Sequence, residues 1–462
     1  MATVRDYIQV RPHTGVGMNA AGTPPNVVVV LTDQQRWDTL GAYENPMGLT
    51  PTLDRLAREG TVIEQAISPQ PLCGPFRAAF QTGKYATETG VWQSAIPLAE
   101  DEQTLAHLFS SAGYDVGYVG NWHLASTFDD AVPPAQRGGY DDFWIAADVP
   151  EFTTQPHEGE LFDADGRPVS FDDYRVDAFT EFAIDGIESL SEPFFLVVGY
   201  VEPHDQNDMW TFVAPDGYAD RHAKNPYVPD DLVDRPGEWH QELPDYYGIV
   251  ERIDERIADL LDALSAKGVR DRTLLAYTSD HGCHFRTRPG EHKRTPHESA
   301  VRVPLVLSGP GFDNGRNVQS VRSLVDLPST LLDVAGIDVP DAMRGDSLLP
   351  IVHGDAPDAD GEAFIQVSES QVGRALRTDR WKYAVAAPAM TGWRGGSAEQ
   401  SSDVYVERYL YDLWKDPGET VNLAGRPEFR GVANDLRERL LTYISDIEGE
   451  QPTIKQLDRG FP

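Results

Sequence analysis

Cysteine is nearly absent from this chain of 462 residues, which holds only Cys73 and Cys283. Two cysteines cannot form a disulfide framework, and a reducing compartment is the simpler prediction. The chain also lacks apolar runs of about 18 residues, the length that a membrane-spanning helix needs. The amino-terminal segment before the first apolar run has no secretory signal pattern, so the sequence predicts a cytoplasmic protein with no membrane partner.

Positive charge is scarce as well. The chain has 39 basic and 74 acidic residues, which gives a formal net charge of −35. The summed negative field disfavours binding to nucleic acid or to an anionic membrane surface. An anionic substrate would therefore need a strongly cationic pocket that overcomes this field.

The sequence does contain several long apolar segments that end in polar residues. They include 25–35, 192–206 and 272–285, and segments with apolar residues at helical spacing lie between them, such as 249–268. Continuous apolar runs are typical of strands buried on both faces of a parallel sheet. We therefore predict an α/β domain over 25–345, with a doubly wound, mostly parallel central sheet and helices on both faces.

The pattern changes near residue 345. Short alternating segments between 362 and 419 predict the hairpins of a small antiparallel sheet, and 432–450 predicts a last helix. We assign 346–462 to a small carboxyl-terminal α+β subdomain and 1–24 to an amino-terminal extension.

Polar side chains follow two of the predicted strands at their carboxyl ends, where open α/β sheets bind ligands. Asp33 and Gln34 follow the first strand, and Asp280 and His281 follow a later one. Their oxygens suit calcium, magnesium or manganese, and the imidazole nitrogen favours manganese or zinc. The alternative for each aspartate taken alone is a helix cap.

A second group of side chains is cationic or carries an imidazole. Arg77, His123, His204 and Lys293 each lie in a loop or turn after an apolar run. If they converge, they can surround a tetrahedral oxyanion and stabilise the charge that develops on it. A solvated loop position is the alternative for each of them.

Cys73 has two interpretations from its neighbours alone. It could be a thiolate nucleophile beside positive charge, or a small buried hydrophobic residue. The Gly-Pro-x-Arg that follows it favours the first, because a residue that only packs needs no such neighbours. Residue types by themselves leave both interpretations open.

The segment Cys73-Gly74-Pro75-Phe76-Arg77 resembles the Cys-x-Pro-Ser-Arg motif of the formylglycine-dependent sulfatases, in the alkaline phosphatase superfamily. Further segments resemble the same family in order along nearly the whole chain, among them GYVGNWHLAS, PFFLVVGYVEPHDQ, KRTPHESAVRVPLVLSGPG and YDLWKDPGETVNLA. The resemblance implies an alkaline-phosphatase-like fold. It also implies a sulfuric ester hydrolase whose cysteine is oxidised to formylglycine by a formylglycine-generating enzyme.

The resemblance further implies roles for the site residues. One divalent metal, calcium or else manganese, would be held by Asp33, Gln34, Asp280, His281 and the modified Cys73. Arg77 would hold the formylglycine hydroxyl, and Lys293 would bind sulfate. His204 would bind sulfate and act as general acid, and His123 would remove a proton from the remaining hydroxyl.

Several positions depart from the family's usual residues. Asn121 stands where a sulfate-binding lysine is usual, Gln34 replaces an aspartate, and His281 stands where asparagine is common. The Gln34 and His281 pair resembles choline sulfatases and phosphonate monoester hydrolases, so a phosphonate monoester or phosphodiester hydrolase is the alternative enzyme. Asn121 and Phe76 leave room for an inactive protein that binds sulfate esters.

The segment 283–298 is dense in basic and imidazole groups within an acidic protein. We predict that this segment recognises hydroxyl or acidic groups of a sulfated carbohydrate. The sequence as a whole is also compatible with a homo-oligomer. The candidate substrate-binding residues are Asn121, His284, Arg286, Arg288 and His292. A solvated loop is the alternative, as is plain packing for Trp210 and Trp239, which could also stack on sugar faces.

Overall fold

The computed structural model describes residues 24–288, 290–449 and 451–457, so the predicted extension 1–24 lies outside the described residues except for its last position. A large sheet of twelve strands dominates the described chain. These strands are β1 (Asn26–Thr32), β2 (Thr61–Ile67), β3 (Asp115–Asn121), β4 (Phe143–Ala147), β5 (Thr154–Gln155), β6 (Glu158–Asp163), β7 (Pro168–Phe171), β8 (Phe194–Gly199), β9 (Thr273–Ser279), β10 (Arg302–Val303), β11 (Leu305–Ser308) and β12 (Arg316–Ser323).

The centre of this sheet is parallel. β1 pairs in parallel with β8 and β9, β8 pairs with β3, and β3 pairs with β4. Antiparallel pairs occur on both sides of this centre, where β11 joins β9 and β6 joins β4. The carboxyl ends of β1, β3, β8 and β9 therefore meet along one edge, where ligands bind in open α/β sheets.

Twelve α-helices accompany the strands in the described residues. They are α1 (Pro51–Glu59), α2 (Cys73–Thr82), α3 (Ala86–Thr89), α4 (Leu105–Ser111), α5 (Arg175–Ser189), α6 (Tyr218–His222), α7 (Trp239–Lys267), α8 (Glu298–Val301), α9 (Asp326–Ala335), α10 (Leu349–His353), α11 (Gly392–Gly396) and α12 (Arg430–Glu448). None of the described helices combines the length and the apolar composition that crossing a membrane requires.

Helices cover both faces of the large sheet, and the side chains of β1 show this division. Val27, Val29 and Leu31 pack with α2, α4 and α9 on one face, whereas Val28 and Val30 pack with α1, α5 and α7 on the other. Successive side chains of a strand point to opposite faces, so a strand covered on both sides must be apolar throughout. This requirement explains the continuous apolar runs of the sequence.

A second sheet of five strands lies in the carboxyl-terminal part. It contains β13 (Glu362–Val367), β14 (Glu369–Thr378), β15 (Trp381–Thr391), β16 (Val404–Asp412) and β17 (Thr453–Lys455). β13 to β16 are antiparallel neighbours, and α12 packs on this sheet through Leu436 and Leu440. The predicted fold class is confirmed, and the chain passes from one sheet to the other within 324–361.

Candidate active site

The ends of β1 and β9 bring four predicted metal ligands together. The two strands pair in parallel up to their last residues, so Asp33 and Gln34 lie beside Asp280 and His281. The Gln34 backbone N–H donates to Asp280 Oδ1 at 3.1 Å. Gln34 has a φ of 69°, a left-handed conformation that is uncommon for residues other than glycine.

Cys73 enters this group from α2, of which it is the first residue. Arg77 follows one helical turn later, so both side chains lie on the same side of the helix. Gly74 lets α2 approach its neighbours closely. A Cβ at this position would lie 3.0 Å from Ser94 Cα and 3.3 Å from the His123 carbonyl oxygen. The four-residue spacing between Cys73 and Arg77 therefore places both side chains at the same end of α2.

Cys73, Asp33, Asp280 and His281 form a buried group that we call the Cys73 cluster. One ligand atom from each lies within 4.8 Å of the others. Cys73 Sγ is 3.5 Å from Asp33 Oδ1 and 3.3 Å from His281 Nε2, and this nitrogen is 3.5 Å from Asp280 Oδ1. Ligand atoms bonded to one cation at roughly 2.0–2.6 Å are expected at such mutual distances.

The two carboxyls of the cluster differ in their pKa. Burial opposes ionisation of Asp33, but Lys293 and other nearby cations outweigh burial and hold its pKa well below the usual value. Burial and the charge of Asp33 raise the pKa of Asp280 well above the usual value. Burial also lowers the pKa of His281, which leaves its imidazole neutral and able to bind a metal. A cation between them would favour the ionised form of both carboxyls.

Two buried acceptors at the cluster, Gln34 Oε1 and Asp280 Oδ2, have no hydrogen-bond partner among the described residues. Asp205 fixes the Gln34 amide, because its Oδ1 accepts from Gln34 Nε2 at 2.9 Å and leaves Oε1 as the free end. Buried acceptors without donors are unfavourable, and a bound cation would satisfy both. Two carboxylates, an amide oxygen and an imidazole thus fit a divalent metal.

Lys293 connects Cys73 with His204. Its Nζ donates to Cys73 Sγ at 3.0 Å and lies 2.9 Å from His204 Nε2. Arg77 Nη2 lies 3.3 Å from Asp33 Oδ2 on the other side of the cluster. Burial opposes the charged form of Lys293, but the neighbouring Cys73 and Asp33 outweigh it, and the pKa rises above the usual value. Two fixed cations therefore flank residue 73.

Burial raises the pKa of the Cys73 thiol well above its usual value. A thiol that keeps its proton is a poor nucleophile. The pKa therefore argues against the thiolate interpretation of Cys73 and agrees with a nucleophile that forms only after the cysteine is modified.

A cavity of about 540 Å³ opens above Cys73. Gln34, His123, His204 and Lys293 line its inner part. His123 has a φ of 57°, and its Nδ1 has no hydrogen-bond partner in the described part of the chain. Burial lowers the pKa of His123, so its neutral imidazole can accept a proton.

The contacts of Phe76 and Asn121, two residues that depart from the sulfatase motif, explain why these residue types fit. Phe76 is buried in the core on the α2 face of the large sheet, where an apolar side chain fits. Asn121, at the end of β3, donates from Nδ2 to Asp33 Oδ2 at 3.4 Å and does not line the cavity. Its amide thus contacts a predicted metal ligand instead of the space above Cys73.

The predicted recognition residues are divided by the structure. Arg286 and His292 line the outer part of the cavity. His284 is completely buried and does not line it. Arg288 donates to the backbone carbonyl oxygens of residues 418 and 419 and also lies outside the lining. The basic and imidazole groups of this loop therefore include two that do not reach the cavity.

Sequence reasoning missed several residues of the cavity, among them Asp205, Glu151, Phe128 and Phe152. Asp205 follows His204 directly in the polar segment after β8, and this position was its only signal. Phe128 and Phe152 line the outer cavity from loops after β3 and β4, where no periodicity marks them. Of the two tryptophans considered, Trp210 lines the cavity, and Trp239 instead donates from Nε1 to the Arg235 carbonyl oxygen.

The chain is similar to known proteins over most of its length. The sulfatase family matches residues 25–337, and the carboxyl-terminal region of N-sulphoglucosamine sulphohydrolase matches residues 290–393. The chain is 30% identical over 454 residues to the ulvan-active sulfatase of Formosa agariphila, covering 93% of this chain and 82% of that relative. It is 24% identical over 532 residues to the N-acetylglucosamine-6-O-sulfatase of Bacteroides thetaiotaomicron, covering 94% and 88%.

Solved structures share the fold. The phosphonate monoester hydrolase of Agrobacterium radiobacter superposes with a TM-score of 0.71 at 21% identity, covering 91% of this chain and 96% of that chain. The predicted family and enzyme class are confirmed by the family match and by the sulfatase relatives. The chain belongs to the sulfatase family and is a sulfuric ester hydrolase.

Proposed function

We propose that the protein removes sulfate from a sulfated carbohydrate at Cys73. The observation that carries this proposal is the convergence of two carboxylates, an imidazole, Lys293 and Arg77 on a buried cysteine, with unpartnered acceptors beside it. The carbohydrate part is supported by the relatives, because an ulvan-active sulfatase and an N-acetylglucosamine-6-O-sulfatase align over most of their lengths.

The proposal includes a divalent metal and a formylglycine at position 73. Asp33, Gln34, Asp280 and His281 would hold the metal, with residue 73 next to it. Three of these four donors are oxygens, so we propose calcium, and the His281 nitrogen makes manganese the alternative. When both groups are present, the hydrated aldehyde supplies the nucleophilic oxygen, and the metal lowers its pKa and polarises the sulfate.

The chain's own residues supply the remaining chemistry. Arg77 holds the oxygen of residue 73 in place, and Lys293 binds the sulfate as a fixed positive charge. His204, whose Nε2 lies 2.9 Å from Lys293 Nζ, donates a proton to the leaving oxygen of the sugar. The sulfur–oxygen bond of the ester would break as sulfur bonds to the oxygen of residue 73, and the carbon–oxygen bond of the sugar would be retained. His123 would then accept a proton from the other hydroxyl of residue 73 and so assist the release of sulfate.

Activity on two reporter substrates tests the proposal. Matured enzyme with matched metal content is assayed on 4-nitrophenyl sulfate and on phenyl 4-nitrophenyl phosphate. We expect a higher kcat/KM for the sulfate ester. A clear preference for the phosphodiester would favour the second candidate, a phosphonate monoester or phosphodiester hydrolase. Gln34 and His281 are the residues that favour this candidate. No turnover of either substrate by a fully matured enzyme would favour a binding protein without catalysis.

The role of His204 is tested by the leaving group. A general acid contributes about 10²–10⁴-fold when the leaving oxygen needs a proton, and little when it does not. We therefore expect His204→Ala to lose far more kcat on a sugar sulfate than on 4-nitrophenyl sulfate. Equal losses on the two substrates would assign His204 to sulfate binding alone.

Location and maturation complete the proposal. We propose that the protein is located in the cytoplasm and that a formylglycine-generating enzyme is its partner in maturation. The mass of the peptide that contains residue 73 tests the second point, because oxidation to the aldehyde lowers it. An unchanged mass in active enzyme would contradict the formylglycine.

A further inference from the structure

The outer part of the cavity differs in character from the inner part. Three exposed aromatic side chains, Phe128, Phe152 and Trp210, line it, and we call them the aromatic rim. Their exposed fractions are 41%, 63% and 68%. Among the side chains whose exposure the structure describes, the exposed large hydrophobic ones include one other aromatic, Trp414. Exposed aromatics are therefore concentrated at this one cavity.

The rim has a defined geometry. The rings of Phe128 and Phe152 meet edge to face with centroids 5.8 Å apart, and the Arg286 guanidinium lies 5.2 Å from the Trp210 ring centroid. Phe128 and Trp210 both have a φ of 57°. A left-handed conformation is strained for a bulky residue and is found most often where function requires it. These two residues therefore hold their aromatic side chains towards solvent at the cavity entrance in spite of an unfavourable backbone conformation.

The cations of the outer cavity are already paired. Arg286 forms an ion pair with Glu238, and the same carboxylate lies 3.2 Å from His292 Nε2. Arg294 Nε lies 2.8 Å from Glu369 Oε2. Each of the cationic side chains that the structure places in the outer cavity therefore has a carboxylate partner, and none offers an unneutralised charge to a second anionic group of the substrate.

A carboxylate faces the same space. Glu151 lines the outer cavity, and its Oε2 has no hydrogen-bond partner within the described residues. Its other oxygen accepts from Asn207 Nδ2 at 3.4 Å. The oxygen without a partner is itself buried, so this carboxylate acts on the cavity through its charge, which repels anions. The net charge of −35 acts in the same direction.

We propose that the aromatic rim and Glu151 select a sugar ring that carries one sulfate and no other negative charge. The rim covers the apolar face of the ring, the charge of Glu151 repels a second anionic group, and the paired cations give no compensation to a uronate or a second sulfate. This inference rests on the proposed sulfatase function and adds the class of sugar.

A paired set of substrates tests the inference. Monosulfated neutral hexoses are compared with the same hexoses carrying a second sulfate and with monosulfated hexuronic acids, and 4-nitrophenyl sulfate reports the basic chemistry. We expect kcat/KM for a neutral monosulfated hexose to exceed that of its charged counterparts by about tenfold or more. Turnover of 4-nitrophenyl sulfate combined with a preference for the charged sugars would overturn the inference and leave the sulfatase function intact. No turnover of any sulfate ester would overturn both.

Variants separate the two parts of the selection. Trp210→Ala should raise KM for the neutral hexose sulfate about tenfold with little change in kcat, because a stacking contact is lost. Trp414→Ala is a matched control, since Trp414 is 71% exposed, has an Arg380 guanidinium 5.2 Å from its ring and lies outside the cavity. Glu151→Gln should reduce the discrimination against a second sulfate, measured as the ratio of kcat/KM for the neutral monosulfated hexose to kcat/KM for the disulfated hexose. An equal effect of both tryptophan variants, or an unchanged discrimination in Glu151→Gln, would contradict the proposal.

Discussion

Two buried groups of charges in this molecule differ in how closely their opposite charges are paired. The first is the Cys73 cluster with Arg77 and Lys293. The second, which we call the interlobe cluster, joins the large sheet to the small one and consists of Glu298, Arg377, Lys382 and Glu419. Lys382 Nζ lies 2.7 Å from Glu298 Oε1 and 2.9 Å from Glu419 Oε1, and Arg377 Nε lies 3.0 Å from Glu298 Oε1.

The Cys73 cluster has looser ion pairs. Its cation–carboxylate distances are 3.3 Å for Arg77 with Asp33, 3.8 Å for Arg77 with Asp280 and 3.9 Å for Lys293 with Asp33. Burial raises the pKa of Asp280 well above its usual value, while Arg377 and Lys382 outweigh burial and hold the pKa of Glu298 below its usual value. Each cluster holds two carboxylates and two cations, and burial raises the pKa of Glu419 as well. The difference therefore lies in the distances: the interlobe pairs are within 3.0 Å, whereas the pairs of the Cys73 cluster are 3.3 Å or longer and leave room for a further cation.

The largest expected effect concerns residue 73. Cys73→Ala should lower sulfate release by at least about 10⁴-fold, because a nucleophile cannot be replaced by its neighbours. The small change in volume at a buried site should leave the fold intact. Sulfate release and thermal unfolding are measured on the same preparation. Activity within tenfold of the wild type would show that the reaction does not use residue 73.

The interlobe cluster should respond in stability. Lys382→Met leaves Glu298 and Glu419 buried without their shared cation, which should lower the free energy of unfolding by about 3–5 kcal/mol. Urea unfolding of wild type and variant measures this. A triple variant with Glu298→Gln and Glu419→Gln added should recover part of the loss, because the uncompensated charges are gone. A loss below about 1 kcal/mol in the single variant would contradict the view that this cluster is balanced.

The Cys73 cluster should respond in the opposite direction when metal is withheld. Because the folded-state pKa of Asp280 is raised, its ionised form costs stability as pH rises above the usual pKa of a carboxyl group. Asp280→Asn should therefore raise the thermal stability of chelator-treated protein at neutral pH and weaken metal binding at least about 10–100-fold. Calorimetry with and without chelator checks both. A chelated variant less stable than the chelated wild type would contradict the need for a cation.

The smallest expected effect concerns Asp254, a buried carboxyl held by backbone groups. It accepts from the N–H groups of Thr52 and Leu53 at 2.9 Å and 2.7 Å, and burial raises its pKa to about 6. Since the unfolded-state pKa is about 4, this group costs stability as pH rises through that interval. The stability of Asp254→Asn relative to wild type should rise by about 1 kcal/mol between pH 5 and pH 7. A difference that stays constant over this range would show that the backbone donors compensate the charge fully.

Much of the fold was predictable. Burial on both faces of the sheet imposes apolar runs such as that of β1, and glycine marks the ends of several helices. The gathering of Asp33 and Asp280 followed from their positions after strands that pair in parallel. The sequence does not indicate that Arg286 and His292 line the cavity while His284 and Arg288 do not. All four lie in one loop, and only the path of that loop decides which side chains reach the cavity.

The aromatic rim was even less accessible to sequence reasoning. Phe128, Phe152 and Trp210 come from three different loops, and their shared position depends on where β3, β4 and β8 lie in the sheet. Asp205 carried a weak signal through its neighbour His204. The chemistry of the inner cavity is thus encoded at strand ends, whereas the selection of a sugar is encoded in loops that only the tertiary structure brings together.

The most direct test of the account couples maturation to rate. Preparations with different extents of maturation, obtained by varying co-expression of a formylglycine-generating enzyme, are analysed by peptide mass for the fraction of residue 73 present as aldehyde. The same samples are assayed for sulfate release under matched metal loading. The account predicts a rate that rises in proportion to the aldehyde fraction and vanishes with it. A rate independent of that fraction would contradict a reaction centred on oxidised Cys73.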